Sequence, residues 1–163
     1  MNKTAMSKKT IVRAEDSALQ PSIFNQPEGT DWFLAWLISL ANGYGLEQGI
    51  TLSVGGASVT GLLISGRDYF TEIGSVIAQG NFHGAAETLR PVLAQAYSQW
   101  SQVYPKIDTG HAEPIERSTY IHLRRARIVT SDGMEMPPAG GLWRGKLSAV
   151  EGFMLGELGS LGG

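Results

Sequence analysis

The chain has no cysteine among its 163 residues. That removes disulfide scaffolds, thiolate zinc sites, iron–sulfur clusters and cysteine nucleophiles together. Charge is also scarce: charged residues make up 17% of the chain, below the ~25% usual in soluble domains. Thirteen Lys and Arg against fifteen Asp and Glu leave a net charge of -2, so no overall field draws the molecule to nucleic acid or to an anionic membrane. Long apolar runs are missing too. The longest, Trp32 to Ala41, has about half the ~20 residues that a spanning helix needs, so no membrane span is expected. Behind the N-terminal lysines there is no apolar stretch of roughly 7 to 15 residues, so a secretory signal is not supported and the cytoplasm is the expected location.

Catalytic signatures are equally absent. The sequence contains no GxxxxGK[ST], GxSxG or HExxH, and no GxGxxG that follows a strand and opens a helix. His83, His111 and His122 fall in different segments at no metal-ligand spacing, and the bland reading is structural or solvent-exposed histidine. Asp68 and Glu72 stand four apart on one helical stretch, where a water-facing helix start explains them better than a catalytic carboxylate pair. No catalytic residue, cofactor or metal is expected.

Glycine is what the chain has in excess: 21 residues, about 13% against a usual ~7%, which favours tight strand corners over long helices. Residues 1–27 mix charge with isolated apolar residues and read as a mobile tail. Residues 28–158 read as a single domain, and 159–163 as a flexible end. Thr30 or Asp31 can cap a helix over about 31–42, with Asn42-Gly43 as its stop. Trp32, Phe33, Trp36, Leu37 and Leu40 form one stripe of it, yet Leu34, Ile38 and Ala41 keep the other side apolar, so a second contact beyond one sheet is implied.

Ile50, Leu52 and Val54 alternate with Thr51 and Ser53, and after Gly55-Gly56 the run Ser58 to Ile64 completes a hairpin, with Gly61 marking a bend or bulge. Ser65 to Asp68 matches a capping pattern that opens a helix to about Gln79. A helical insert over about 81–104 is broken or kinked at Pro91, which makes two short helices the expectation. Residues 105–118 read as a loop. From Tyr120 a strand resumes whose inward parity switches near Arg124-Arg125, predicting a bulge. Ser131 to Gly133 and Pro137 to Gly141 read as turns, Trp143 to Ala149 as a half-buried strand, and Phe153 to Leu158 as a last short strand. The fold class expected is α+β: about five antiparallel strands in a strongly bent sheet or partly open barrel, with an N-terminal helix and the helical insert.

The charges segregate along the chain. Residues 117–146 carry Arg117, Arg124, Arg125, Arg127, Arg144 and Lys146 against Asp132 and Glu135, a local net of +4, whereas residues 28–116 carry nine acids and three bases, a net of -6. With Tyr120 and Trp143 nearby, the basic segment reads as a docking face for an acidic protein, or for RNA on a small Sm-like barrel. The bland alternative is the solvated side of two strands. Opposite-signed halves also favour head-to-tail self-association.

Two blocks carry a resemblance. The first runs from the helix end Ser39 to Gly45 through Ile50 to Phe70, with its glycine hairpin and the Leu-Ile-Ser-x-x-x-Tyr-Phe strand-to-helix junction. The second joins Tyr-Ile-His-Leu at 120–123 to Trp-Arg-Gly-Lys-Leu-x-x-Val-x-Gly-Phe-x-Leu-Gly at 143–156. In order, they resemble the gas vesicle accessory GvpU family. The long N-terminal stretch and the Ala-rich insert look less like it, and the ending GSLGG lacks the family's Lys- and Ser-rich tail, so no role of such a tail is carried over. The resemblance implies a non-enzymatic cytoplasmic protein that contacts gas vesicle shell or accessory proteins and influences vesicle assembly or clustering. It transfers no catalytic residue. The expected protein-binding residues are Trp32, Trp36, Tyr120, Arg124, Arg125, Arg127, Trp143, Arg144 and Lys146, in a chain expected to form homo-oligomers.

Overall fold

Two glycines set the first corner of the sheet. Gly55 and Gly56 both have positive φ, 58° and 80°, which is the backbone that a two-residue hairpin turn demands. They join β1 (Gln48–Val54) to β2 (Ala57–Ile64). In the computed structural model, which describes residues 29–80, 84–104 and 118–159, the other strands are β3 (Tyr120–Val129), β4 (Glu135–Lys146) and β5 (Gly152–Leu155). All pairings are antiparallel, in the order β4-β3-β2-β1-β5. The architecture is the α+β one expected, with the sheet open rather than closed into a barrel. The proposed tail at 1–27, residues 105–117 of the proposed loop, and the end beyond 159 lie outside the described residues.

Helix α1 (Trp32–Tyr44) covers one face of the sheet. Asp31 caps it by accepting from the Phe33 and Leu34 amides at 2.8 and 2.9 Å. Its Leu34, Ala35, Leu37, Ile38 and Ala41 pack on Ile50, Leu52, Val59, Leu63, Ile121, Leu123 and Ala126, forming the core. The expected stop at Asn42-Gly43 is corrected: the helix continues to Tyr44 and ends at Gly45, whose φ is 69°. Asn42 is instead a buried clasp. Its Oδ1 accepts from the Gly66 amide and its Nδ2 donates to Ser118 Oγ, both at 2.8 Å, so it ties α1 to the start of the next helix and to the approach of β3.

The predicted bulge sits in β3. Thr60 and Leu62 of β2 pair with Arg127 and Arg124, and Leu123 and Ala126 pair with Trp143 and Gly141 of β4. On both sides β3 therefore carries one residue more than its neighbour, and Arg125 adopts φ 51°. The extra residue lets Leu123 and Ala126 both face the core, which is the parity switch seen in the sequence. Gly61 lies against the bulge: a Cβ there would stand 2.9 Å from Ala126 Cα and from Arg124 O.

Three other expectations are corrected. Pro137 to Gly141 is not a turn but the irregular part of β4, between the pairs Ile128–Met136 and Ala126–Gly141. This is the outer strand, where a residue without an N–H forfeits no ladder bond. The strand expected through Ala149 ends at Lys146, and Leu147–Ala149 is a 3-10 turn. The last strand stops at Leu155 rather than Leu158, because the chain turns at Gly156, φ 109°. Residues 156–158 then cross the face opposite α1: Thr51 Oγ1 donates to Gly156 O at 2.9 Å, Leu158 N donates to Thr60 Oγ1 at 2.8 Å, and Arg127 Nη2 donates to Leu158 O at 2.8 Å. Buried hydroxyls need partners, and this strap supplies them. The outer edge of β5 has no strand partner among the described residues.

Helix α2 (Gly66–Gln79) starts at Ser65, whose hydroxyl accepts from the Asp68 amide, and Gly80 follows its end, as expected. In the insert, Pro91 lies in the first turn of α3 (Arg90–Gln99), where its missing amide leaves nothing unpaired. A 3-10 stretch, Gly84–Leu89, precedes it and another, Trp100–Val103, follows. The interruption is thus before Pro91, and one α-helix with 3-10 flanks replaces the two helices expected. Gly74 lets α3 approach closely, since a Cβ there would meet Ser98 Oγ at 2.0 Å. The apolar side chains of Leu89, Trp100 and Val103 in the insert are exposed.

Candidate protein-binding surfaces

The basic strands do not present a bare cationic face. Arg124 Nε donates to both Glu72 oxygens at 2.9 and 3.0 Å, its Nη2 also bonds Glu72, and its Nη1 meets Glu47 at 2.9 Å. Arg125 pairs with Glu157 at 3.1 Å, and Arg127 with Glu135 at 2.7 Å. Bonding to Glu72 and Glu47 raises the Arg124 pKa further above its already high value, outweighing the opposing effect of burial. Glu47 and Glu72 from the acidic half fold onto Arg124 of β3, so the segregation of charge along the sequence is offset there in space. These pairs occupy the guanidiniums. The RNA alternative gains no support from them.

Arg144 is differently placed. β4 pairs it with His122 of β3, and its Nε donates to His122 Nε2 at 3.2 Å. Its guanidinium carbon lies 3.5 Å from the centroid of the Tyr120 ring and 5.9 Å from that of Phe70. His122 is buried, with the rings of Tyr69, Tyr104 and Phe70 at 4.8, 5.6 and 6.1 Å. Tyr104 rests directly on the first turn of α2, where a Cβ on Gly66 would fall 2.2 Å from its ring. Burial, with the Arg144 charge beside it, lowers the His122 pKa to about 4. Burial raises the Tyr69 and Tyr104 pKa values, against the pull of Arg144. At neutral pH the site therefore holds a neutral imidazole, neutral phenols and one cation. Lys146 is exposed two residues further along β4, opposite Tyr120. Trp143 points the other way, half-buried against the core.

The second surface is apolar. Trp32 is 47% exposed and begins a run of rings: Trp32 to Phe33 at 5.8 Å, Phe33 to Trp36 at 5.9 Å, and Phe33 to Phe153 of β5 at 5.6 Å. The Trp36 indole N–H is buried without a hydrogen-bond partner. On β5, Leu155 shares the face of Phe153 and is 54% exposed, while Met154, 60% exposed, is paired with Thr51 and lies on the strap side. The structure thus gathers Trp32 and Trp36 in one place and Tyr120, Arg144 and Lys146 in another, with Arg124, Arg125 and Arg127 in ion pairs. It adds Phe153, Met154, Leu155, Tyr69, Tyr104 and His122, which sequence reasoning did not nominate. The strand register that sets His122 beside Arg144 is a long-range pairing with no local signature.

Among the described residues, no group of three or more His, Asp or Glu is arranged to hold a metal ion, and no helix is long and apolar enough to cross a membrane. No curated protein and no solved structure matches the chain. A family model does, that of the gas vesicle protein GvpU-like family, over residues 31–158. The match opens at the residue that caps α1 and closes at the last residue bonded in the strap. Covering most of the sequence and all five strands, it shows that this chain belongs to the GvpU-like family of gas vesicle proteins.

Proposed function

We propose that this protein is a non-enzymatic, cytoplasmic gas vesicle accessory protein that self-associates and contacts the vesicle shell or other accessory proteins, thereby influencing vesicle assembly or clustering. Family membership supports the vesicle setting. The observation that carries the adhesive role is the aromatic run from Trp32 through Phe33 to Phe153, which continues on the same face of β5 into exposed Leu155 beside an open strand edge. Exposed apolar area of this kind gains free energy by association, at roughly 25 cal/mol per Å² removed from water.

Flotation with purified gas vesicles tests the reading. The wild-type chain rises with the buoyant layer, and a Trp32→Ser, Leu155→Ser variant moves toward the soluble fraction while keeping its circular dichroism spectrum. Sedimentation velocity of the same two proteins reports self-association. A wild-type chain that stays wholly soluble while vesicles float sinks the proposal.

A further inference from the structure

Five arginines on the strands and the insert have their side-chain contacts resolved in the structure, and four of them hold a carboxylate: Arg90 holds Glu87, and Arg124, Arg125 and Arg127 hold acids as described. Arg144 is the exception. It is exposed, and it has no carboxylate partner among the described residues. Its neighbours instead fix its orientation: His122 takes the Nε proton, and the Tyr120 ring lies against one flat face. The Tyr104 hydroxyl also bonds the guanidinium, and what remains is the Nη donor capacity beyond that bond, on the side of a guanidinium that meets a planar carboxylate. Aromatic packing holds the side chain in place, so less conformational freedom is lost when an anion arrives.

We propose that Arg144, on its Tyr120 floor with Lys146 alongside, is a carboxylate-binding site that takes an Asp or Glu side chain from an acidic segment of a partner protein. This rests on the vesicle-accessory reading for the kind of partner, a protein, and on geometry for the rest. A nucleic-acid backbone is the poorer occupant because it needs a track of cations, and the next arginines along β3 are already held by Glu47, Glu72, Glu135 and Glu157.

The test titrates the full-length protein with a labelled Asp/Glu-rich peptide, its Asn/Gln counterpart and an oligonucleotide of equal charge, read by fluorescence anisotropy at low ionic strength. The acidic peptide is expected to bind, and Arg144→Gln is expected to weaken it about tenfold or more, in line with removal of one partner of a charged pair. Arg144→Lys keeps the charge and loses the fork, so it is expected to lose affinity several-fold; it carries the test if the glutamine variant fails to fold. Arg90→Gln, on the insert, leaves binding unchanged. Equal binding by the Asn/Gln peptide, tighter binding of the oligonucleotide, or undiminished peptide binding in both Arg144 variants overturns the proposal. So does an Arg144→Gln variant that keeps peptide binding and loses only self-association, which would assign the site to a second copy. Failure here with intact flotation of the wild-type chain removes the carboxylate site and leaves the vesicle role standing.

Discussion

Replacing Gly61 with alanine adds a single methyl group where the backbone of the β3 bulge leaves no room. That Cβ would stand 2.9 Å from both Ala126 Cα and Arg124 O, and 3.3 Å from Ala126 N. All three are main-chain atoms, so no side chain can rotate away and the strands must separate. Overpacking of this kind costs about 1–3 kcal/mol. The smaller conformational freedom of alanine in the unfolded chain returns roughly 0.4–1 kcal/mol. The expected net loss is about 1–2 kcal/mol. With a urea m value of about 2 kcal/mol/M, the unfolding midpoint falls by roughly 0.5–1 M. Gly152→Ala provides the contrast, because a Cβ there meets nothing within 4 Å and its midpoint is expected at or above wild type. The assay is equilibrium urea unfolding followed by tryptophan fluorescence. A Gly61→Ala midpoint equal to or above that of wild type refutes the idea that the bulge presses on β2.

His122 makes stability depend on pH. Its pKa is lowered from 6.5 to about 4 on folding, so between those values the unfolded chain binds one proton more than the folded one. Its contribution is full above pH 6.5 and is lost as pH falls toward 4, about 3 kcal/mol in all at ~1.4 kcal/mol per unit. Urea midpoints at pH 7 and pH 5, with an NMR titration of the imidazole, check this; a His122 titration midpoint at or above 6.5 contradicts it. Asn42→Ala breaks the clasp to Gly66 and Ser118 and leaves a buried amide unpaired, an expected loss of about 2 kcal/mol. Asn42→Asp restores the acceptor for Gly66 but not the donor to Ser118, so it recovers part of that loss, and no difference between the two variants counts against the clasp.

The elements that were legible in the sequence are those fixed by neighbouring residues. Gly55-Gly56 between alternating runs, Ser65 three residues before Asp68, and the parity change across Arg124-Arg125 each act over a few positions, and each appears in the structure. Pro137-Pro138 misleads because proline reports local punctuation, whereas its tolerance in β4 depends on that strand being outermost. Where the chain turns at Gly156, it crosses to bond the hydroxyls of Thr51 and Thr60, about a hundred residues away in sequence, contacts that no local pattern announces. The same distance effect hides the surfaces. A count of basic residues over 117–146 could not show that Glu47 and Glu72 fold onto Arg124, or that Arg144 alone settles among rings drawn from α2, the insert and β3.

The two margins of the sheet are unlike, and that bounds what it can build. β4 presents prolines and an irregular ladder to solvent, a poor template for another strand, while β5 presents four regular residues with two exposed apolar side chains. Strand-to-strand joining of two copies through β5 consumes the receptive margin of each and leaves proline-bearing margins outside, so the union is self-limiting at two. A fibre cannot grow that way. Any larger network must alternate a second kind of contact with this one, and its extent then follows the supply of whatever that contact binds.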